Sequence, residues 1–151
     1  MAKSLIVYVS VHHGNTKRVA SAISKVLGAR LLELDKASVR ALKDYGLLGF
    51  GSGIYHGKHS ADLLKFVDKL PDAKGNRAFI FSTSGGSDRN NHAALRKKLI
   101  AKDFEVAGEF NCPGFDTYGP LQLIGGVNKG RPDAKDLRRA AEFAKGLKSK
   151  S

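Results

Sequence analysis

Tryptophan is absent from this chain of 151 residues, and cysteine and methionine occur once each. The single thiol, Cys112, forms no intrachain disulfide. A stapled secreted scaffold is therefore excluded, and an intracellular, cytoplasmic setting is expected. No apolar run approaches the ~20 residues needed to cross a bilayer, so no membrane span is expected. The first residues pass straight into an apolar strand, and no secretory leader is expected. The Walker phosphate-binding pattern is missing, and so is the three-glycine dinucleotide fingerprint. No repeat, low-complexity stretch or interdomain linker interrupts the chain.

Acidic residues are also few. Fourteen Asp and Glu stand against twenty-six Lys and Arg, a formal charge of +12. Net charge speaks to partners rather than to fold. It admits an acidic protein, an anionic membrane surface or nucleic acid, and equally a basic surface that is merely solvated. The basic residues are spread along helices without a cluster interleaved with aromatics. No specific nucleic-acid partner is therefore expected.

What is present is alternation. The length suits one compact domain, expected over residues 1–148, with 149–151 a frayed tail. Apolar strands are expected at Leu5–Val9, Arg30–Leu34, Tyr45–Gly51, Arg77–Ser82 and Phe104–Phe110. Between them, apolar residues recur at helical spacing over Val19–Leu27, Asp62–Leu70 and Asn91–Ala101, and a last helix is expected from Pro132. A brief helix is expected at Ser38–Asp44. Five strands alternating with helices imply right-handed crossovers and a parallel sheet covered on both faces. Ligands of such sheets sit outside the carboxyl ends of the strands, where strand order reverses.

Those ends hold the polar, glycine-rich chemistry. After the first strand comes Ser10-Val11-His12-His13-Gly14-Asn15-Thr16, running into a helix. A strand, a tight turn and a helix N-terminus together present backbone N–H groups to an anion, naturally a phosphate. The competing reading is an ordinary strand-to-helix turn with an Asn/Thr cap. After the third strand comes Gly51-Ser52-Gly53-Ile54-Tyr55-His56-Gly57, and after the fourth Ser82-Thr83-Ser84-Gly85-Gly86. After the fifth comes Asn111–Arg131, with five glycines and two prolines. A loop of that length inside one domain is usually functional. Adjacent His12 and His13 point apart and match no zinc spacing, so no metal is expected. Ser84 lacks the glycine elbow of a hydrolytic serine. Asp88 and Asp116 read as caps or loop ligands, and Cys112 as a quiet buried thiol.

Ser-x-x-x-Gly-Asn-Thr after a first strand resembles the FMN-phosphate loop of the flavodoxin family, with Val11 and His13 where that family usually has hydroxyls. The second and third loops resemble its flavin-holding loops, so the resemblance covers nearly the whole chain. It implies a flavodoxin-like three-layer α/β sandwich, a five-stranded parallel sheet of order 2-1-3-4-5 with helices on both faces. It also implies FMN as cofactor, with electron transfer between redox protein partners. Given this chain's charge, those partners are expected to have acidic surfaces. Ser10, His12, His13, Gly14, Asn15 and Thr16 would then hold the phosphate. Ser52, Gly53, Ile54, Tyr55, His56 and Gly57 would hold the flavin, with Tyr55 stacking and Gly57 able to flip its peptide. Thr83, Ser84, Gly85 and Gly86 would meet the pyrimidine end, and Asp116 and Tyr118 would close over the ring. No side chain need act as acid, base or nucleophile. Two alternatives stay open: an FMN-dependent quinone or porphyrinogen reductase on the same fold, and a non-redox basic α/β binding module.

Overall fold

The computed structural model describes residues 3–10, 14–84, 89–113 and 131–149. Strands β1 (Ser4–Tyr8), β2 (Arg30–Glu33), β3 (Leu47–Tyr55), β5 (Arg77–Ser84) and β6 (Glu105–Pro113) form a parallel sheet in the order β2-β1-β3-β5-β6. The short β4 (Lys58–His59) returns antiparallel along the end of β3. Apart from that added hairpin strand, the sheet has the expected order. The order reverses at β1, which has β2 on one side and β3 on the other, and that reversal opens a crevice at the carboxyl edge.

Side-chain alternation splits the core in two. Ile6, Tyr8, Phe79 and Phe81 face α1 (Asn15–Leu27) and α4 (Ala134–Ser149). Leu5, Val7, Leu48, Phe50 and Ile80 face α2 (Ala61–Asp68) and α3 (Ala93–Ala101). Val19, Ala20 and Ile23 on α1, and Ala140, Ala144 and Leu147 on α4, are buried at helical spacing. The small alanines let α4 lie close beside α1.

Several boundaries differ from the expected ones. Strand β3 starts later and continues through Gly51–Tyr55, because that stretch pairs with β5 on one side and with β4 on the other. Its glycines belong to the strand. A Cβ on Gly49 or Gly51 would run into the ring of Phe79 or Phe81. Strand β5 likewise continues to Ser84. Helix α4 starts at Ala134, after Pro132, because Asp133 caps it. The Asp133 carboxylate accepts from the Asp136 N–H at 3.0 Å, and Asp136 accepts from the Asp133 N–H at 2.9 Å. The Arg131 guanidinium, which also bonds Asp136, holds the Asp136 carboxyl down at about 2. Ser38–Asp44 is represented by a 3-10 turn at Arg40–Asp44, and α4 runs on to Ser149. Among the described residues no helix is long and apolar enough to cross a membrane.

Candidate functional site at the carboxyl edge

Three strand ends meet at the carboxyl edge. After β1, Gly14 takes a left-handed backbone, φ 69°, that turns the chain into α1. Glycine adopts this without a Cβ penalty. The first turn of α1 carries no acidic residue, so nothing of its own offsets the positive end of the helix dipole. Ser10 folds back to accept the Lys17 N–H at 3.2 Å, and Asn15 accepts from Arg18 at 2.9 Å. Thr16 is buried, with its hydroxyl 2.9 Å from that of Thr83. That bond ties the helix start to the end of β5.

The second strand end is a tight hairpin. Ile54 pairs with His59 and Tyr55 with Lys58, leaving His56 and Gly57 as a two-residue turn. Both have positive φ, 53° and 76°, the geometry that matches the twist of a two-stranded ribbon. Histidine is one of the residue types that tolerate it. The Tyr55 side chain folds back along its own strand, its hydroxyl 3.1 Å from where a Cβ on Gly53 would stand. Ser52 is fully buried. It accepts the Ser60 N–H at 3.0 Å and donates to the Gly53 carbonyl at 2.6 Å. The hydroxyls of Thr16 and Ser52, expected to face a cofactor, are thus turned inward as braces. His12, His13, Gly85, Gly86, Asp116 and Tyr118 lie outside the described residues.

Behind the hairpin is a polar cluster that sequence reasoning missed. His59, 2 % exposed, bonds the Phe81 carbonyl through Nε2 at 2.9 Å. A carbonyl only accepts, so Nε2 carries the proton and Nδ1 presents a lone pair. Nδ1 has no hydrogen-bond partner among the described residues. Burial brings this imidazole down to about 4, against opposing pulls from the Phe81 and Asn91 backbone. The His92 ring lies 5.0 Å away. Its Nε2 meets Ser82 Oγ at 2.6 Å, and its Nδ1 meets Glu109 at 2.9 Å. Arg96 grips Glu109 through two bonds of 2.7 Å. Ser82 and Ser84 both reach Asn111, at 2.8 and 3.3 Å. These residues come from β4, β5, β6, α3 and the 3-10 turn Arg89–His92, and no spacing rule links them in sequence. Ser82, His92 and Glu109 have the distances of a hydrolytic triad, but Ser82 is fully buried and its hydroxyl is held by Asn111. No substrate carbonyl reaches it there.

Cleft size does not follow this chemistry. A cleft of about 390 Å³ lies at the amino edge, lined by Leu42, Tyr45, Leu48, Leu70, Asn76 and Phe104. A hollow of about 220 Å³ beside β1 and β2 is bordered by Tyr8, Ser10, Glu33, Asp35 and Asp62. Burial pushes the Tyr8 phenol up, and Glu33 and Asp35 add to it. Cys112 is fully buried, and burial raises its thiol to about 12, so it is unreactive at neutral pH, as the sequence suggested. Among the described residues no three His, Cys, Asp or Glu side chains converge as a metal site would require.

The sheet order and the hairpin at its carboxyl edge agree with what comparison of the whole chain finds. Residues 5–118 match the flavodoxin domain family. The chain belongs to the flavodoxin family. An uncharacterized protein of Methanocaldococcus jannaschii is 46 % identical over 147 residues, covering 96 % of this chain and 97 % of that one. The fold is shared with a flavodoxin from the domain Archaea, at TM-score 0.74 and 18 % identity, over 98 % of this chain and 97 % of that one. It is shared also with flavodoxin 2 of Bacillus cereus, at TM-score 0.73 and 18 % identity, over 99 % and 100 % of the two chains. A flavodoxin-family domain of this kind implies a flavin cofactor.

Proposed function

We propose that this flavodoxin-family protein binds FMN at the carboxyl edge and passes electrons between redox partners. The observation that carries the reading is convergence. An anion-ready helix start, a glycine hairpin bearing Tyr55 and the end of β5 lie together where the strand order reverses. The residues present fit the group. Gly14 brings backbone close to a phosphate without steric penalty, and the acid-free first turn of α1 leaves the dipole free to attract it. Gly57, in its left-handed turn, adds no side chain beside Tyr55, the aromatic that the family resemblance assigns to stacking. Bound FMN would supply the one- and two-electron chemistry. The chain supplies binding and a fixed edge. Ser52 fastens the hairpin, and the Thr16–Thr83 bond fixes the distance between the phosphate end and the flavin end.

Titrating the purified protein with FMN tests this. A stoichiometric shift of the flavin absorption bands and quenched fluorescence are expected. A protein that leaves added FMN unchanged would overturn the reading. Gly57→Val forces a β-branched residue into φ 76°, a strain of about 1–2 kcal/mol. If relieving it opens the hairpin, FMN affinity falls roughly tenfold. The partner suited to a chain of formal charge +12 is a redox protein with an acidic surface. Electron exchange with an acidic partner is expected to slow as salt rises. A rate indifferent to salt would exclude steering by charge.

A further inference from the structure

The hydrogen bonds around Ser82 contain a constraint that fixes protons. Ser82 has one hydroxyl proton and two neighbours that can accept it, His92 Nε2 at 2.6 Å and the Asn111 amide oxygen at 2.8 Å. On its other side His92 faces Glu109, and a carboxylate held by Arg96 can only accept. Two consistent arrangements follow. With His92 charged, both ring nitrogens donate, Ser82 passes its own proton to Asn111, and the Asn111 oxygen takes Ser82 and Ser84 together. With His92 neutral and its proton on Nδ1, Nε2 accepts from Ser82. Asn111 must then turn its amide so that the NH2 group donates to both serines. One proton at His92 therefore selects which way Asn111 and Ser84 point at the end of β5.

We propose that His92 is a positioning residue of the cofactor edge, whose proton sets the hydrogen-bonding sense of Asn111 and Ser84 toward the bound ligand. This rests on the flavin-site reading above. Ser84 is the last residue of β5 and leads into the third strand-end loop. The charged arrangement also adds a positive group behind the end of β5, on the flavin side of a ligand that is an anion as a whole.

The surroundings favour the neutral ring at neutral pH and admit its proton only below the ordinary imidazole value. Among the described residues, the titratable and charged groups facing His92 are Glu109 from β6, Arg96 from α3 and His59 from β4. Burial lowers His92 from its usual value, and Glu109 opposes that by hydrogen bond and charge. Arg96, by its two bonds, keeps Glu109 below the usual carboxylate range, so the acceptor stays ionised throughout. His59 is uncharged above about pH 5, because burial holds it at about 4, so it adds no competing charge near neutrality. Glu109 is solvent-exposed and gives the proton a way in.

The test has two independent arms. In the wild-type protein without ligand, NMR titration should give the His92 ring and the Asn111 side-chain NH2 one shared midpoint. Glu109→Gln should move that midpoint down, because it removes the group that raises it. An Asn111 amide that ignores His92 titration would overturn the proposal without needing any variant to fold. In the second arm, FMN affinity is compared between wild type and His92→Gln from pH 8 to 5. The ligand's own titration is common to both proteins and cancels in the ratio. Wild type should gain affinity by about threefold or more relative to the variant as pH falls, by proton linkage. A constant ratio would overturn the proposal. Absence of FMN binding at every pH would instead overturn the flavin reading and leave the switch to be decided by NMR.

Discussion

Gly51→Ala is expected to lower the melting temperature by about 10 °C, corresponding to roughly 3 kcal/mol in a domain of this size. The new Cβ would run into Cζ, Cε1 and Cε2 of Phe81. That ring cannot yield easily. It is fully buried and stacks on Phe79 at a centroid distance of 6.2 Å. The backbone of β3 must shift instead, and β3 carries Ser52, Gly53 and Tyr55 just beyond. Cofactor binding should therefore fall along with stability. Phe81→Leu is destabilising by itself, but it opens room for the methyl. The double variant should accordingly lie well above the sum of the two single losses, as expected for residues in direct contact. Thermal unfolding of the four proteins checks this. A Gly51→Ala protein that melts with the wild type would show that the phenyl ring is not the reason for the glycine.

The second large effect is acid sensitivity. His59 is held at about 4 in the folded protein by burial, against an ordinary value of 6.5. The unfolded chain therefore takes up this proton first as pH falls, and each step down favours unfolding. The stability is fully present above about pH 6.5 and declines toward pH 4, by about 3 kcal/mol in all. His92, also lowered by burial, acts in the same direction. Glu109 and Asp136, held low by arginines, lose their contributions only below the ordinary carboxylate values. The interval from about pH 6.5 to 4.5 thus reports on the histidines. His59→Gln keeps a donor for the Phe81 carbonyl and removes the titration. Urea unfolding across that interval should show a flatter pH dependence in the variant. An unchanged slope would mean that His59 is not the group responsible.

Much of the fold was legible because its signals are local. The apolar runs, the helical spacing of Val19, Ala20 and Ile23, and the glycine-rich strand ends each lie within one short stretch of chain. The left-handed Gly14 and the His56-Gly57 turn fall inside stretches already marked as candidate loops. Where expectation and structure part, a distant partner decides. Gly51–Tyr55 reads as a loop by composition, yet it is strand, because β5 and β4 supply hydrogen bonds and the Phe81 ring needs the space at Gly51. Thr16 and Ser52 look like groups for a ligand, yet Thr83 and Ser60 hold their hydroxyls inward.

The sequence by itself determined the α/β alternation, the single quiet thiol, the basic surface and the three strand-end segments that resemble a flavin site. Each follows from composition or from periodicity along one element, which depend on near neighbours. Only the tertiary structure decided that His59, Ser82, His92, Glu109 and Asn111 meet behind the hairpin. Their positions on separate strands and turns become adjacent when the sheet assembles in the order β2-β1-β3-β5-β6. What they do follows from burial, which no residue carries in its own identity. In water each would be an ordinary polar side chain. Enclosed together, they must share protons in one of two consistent ways.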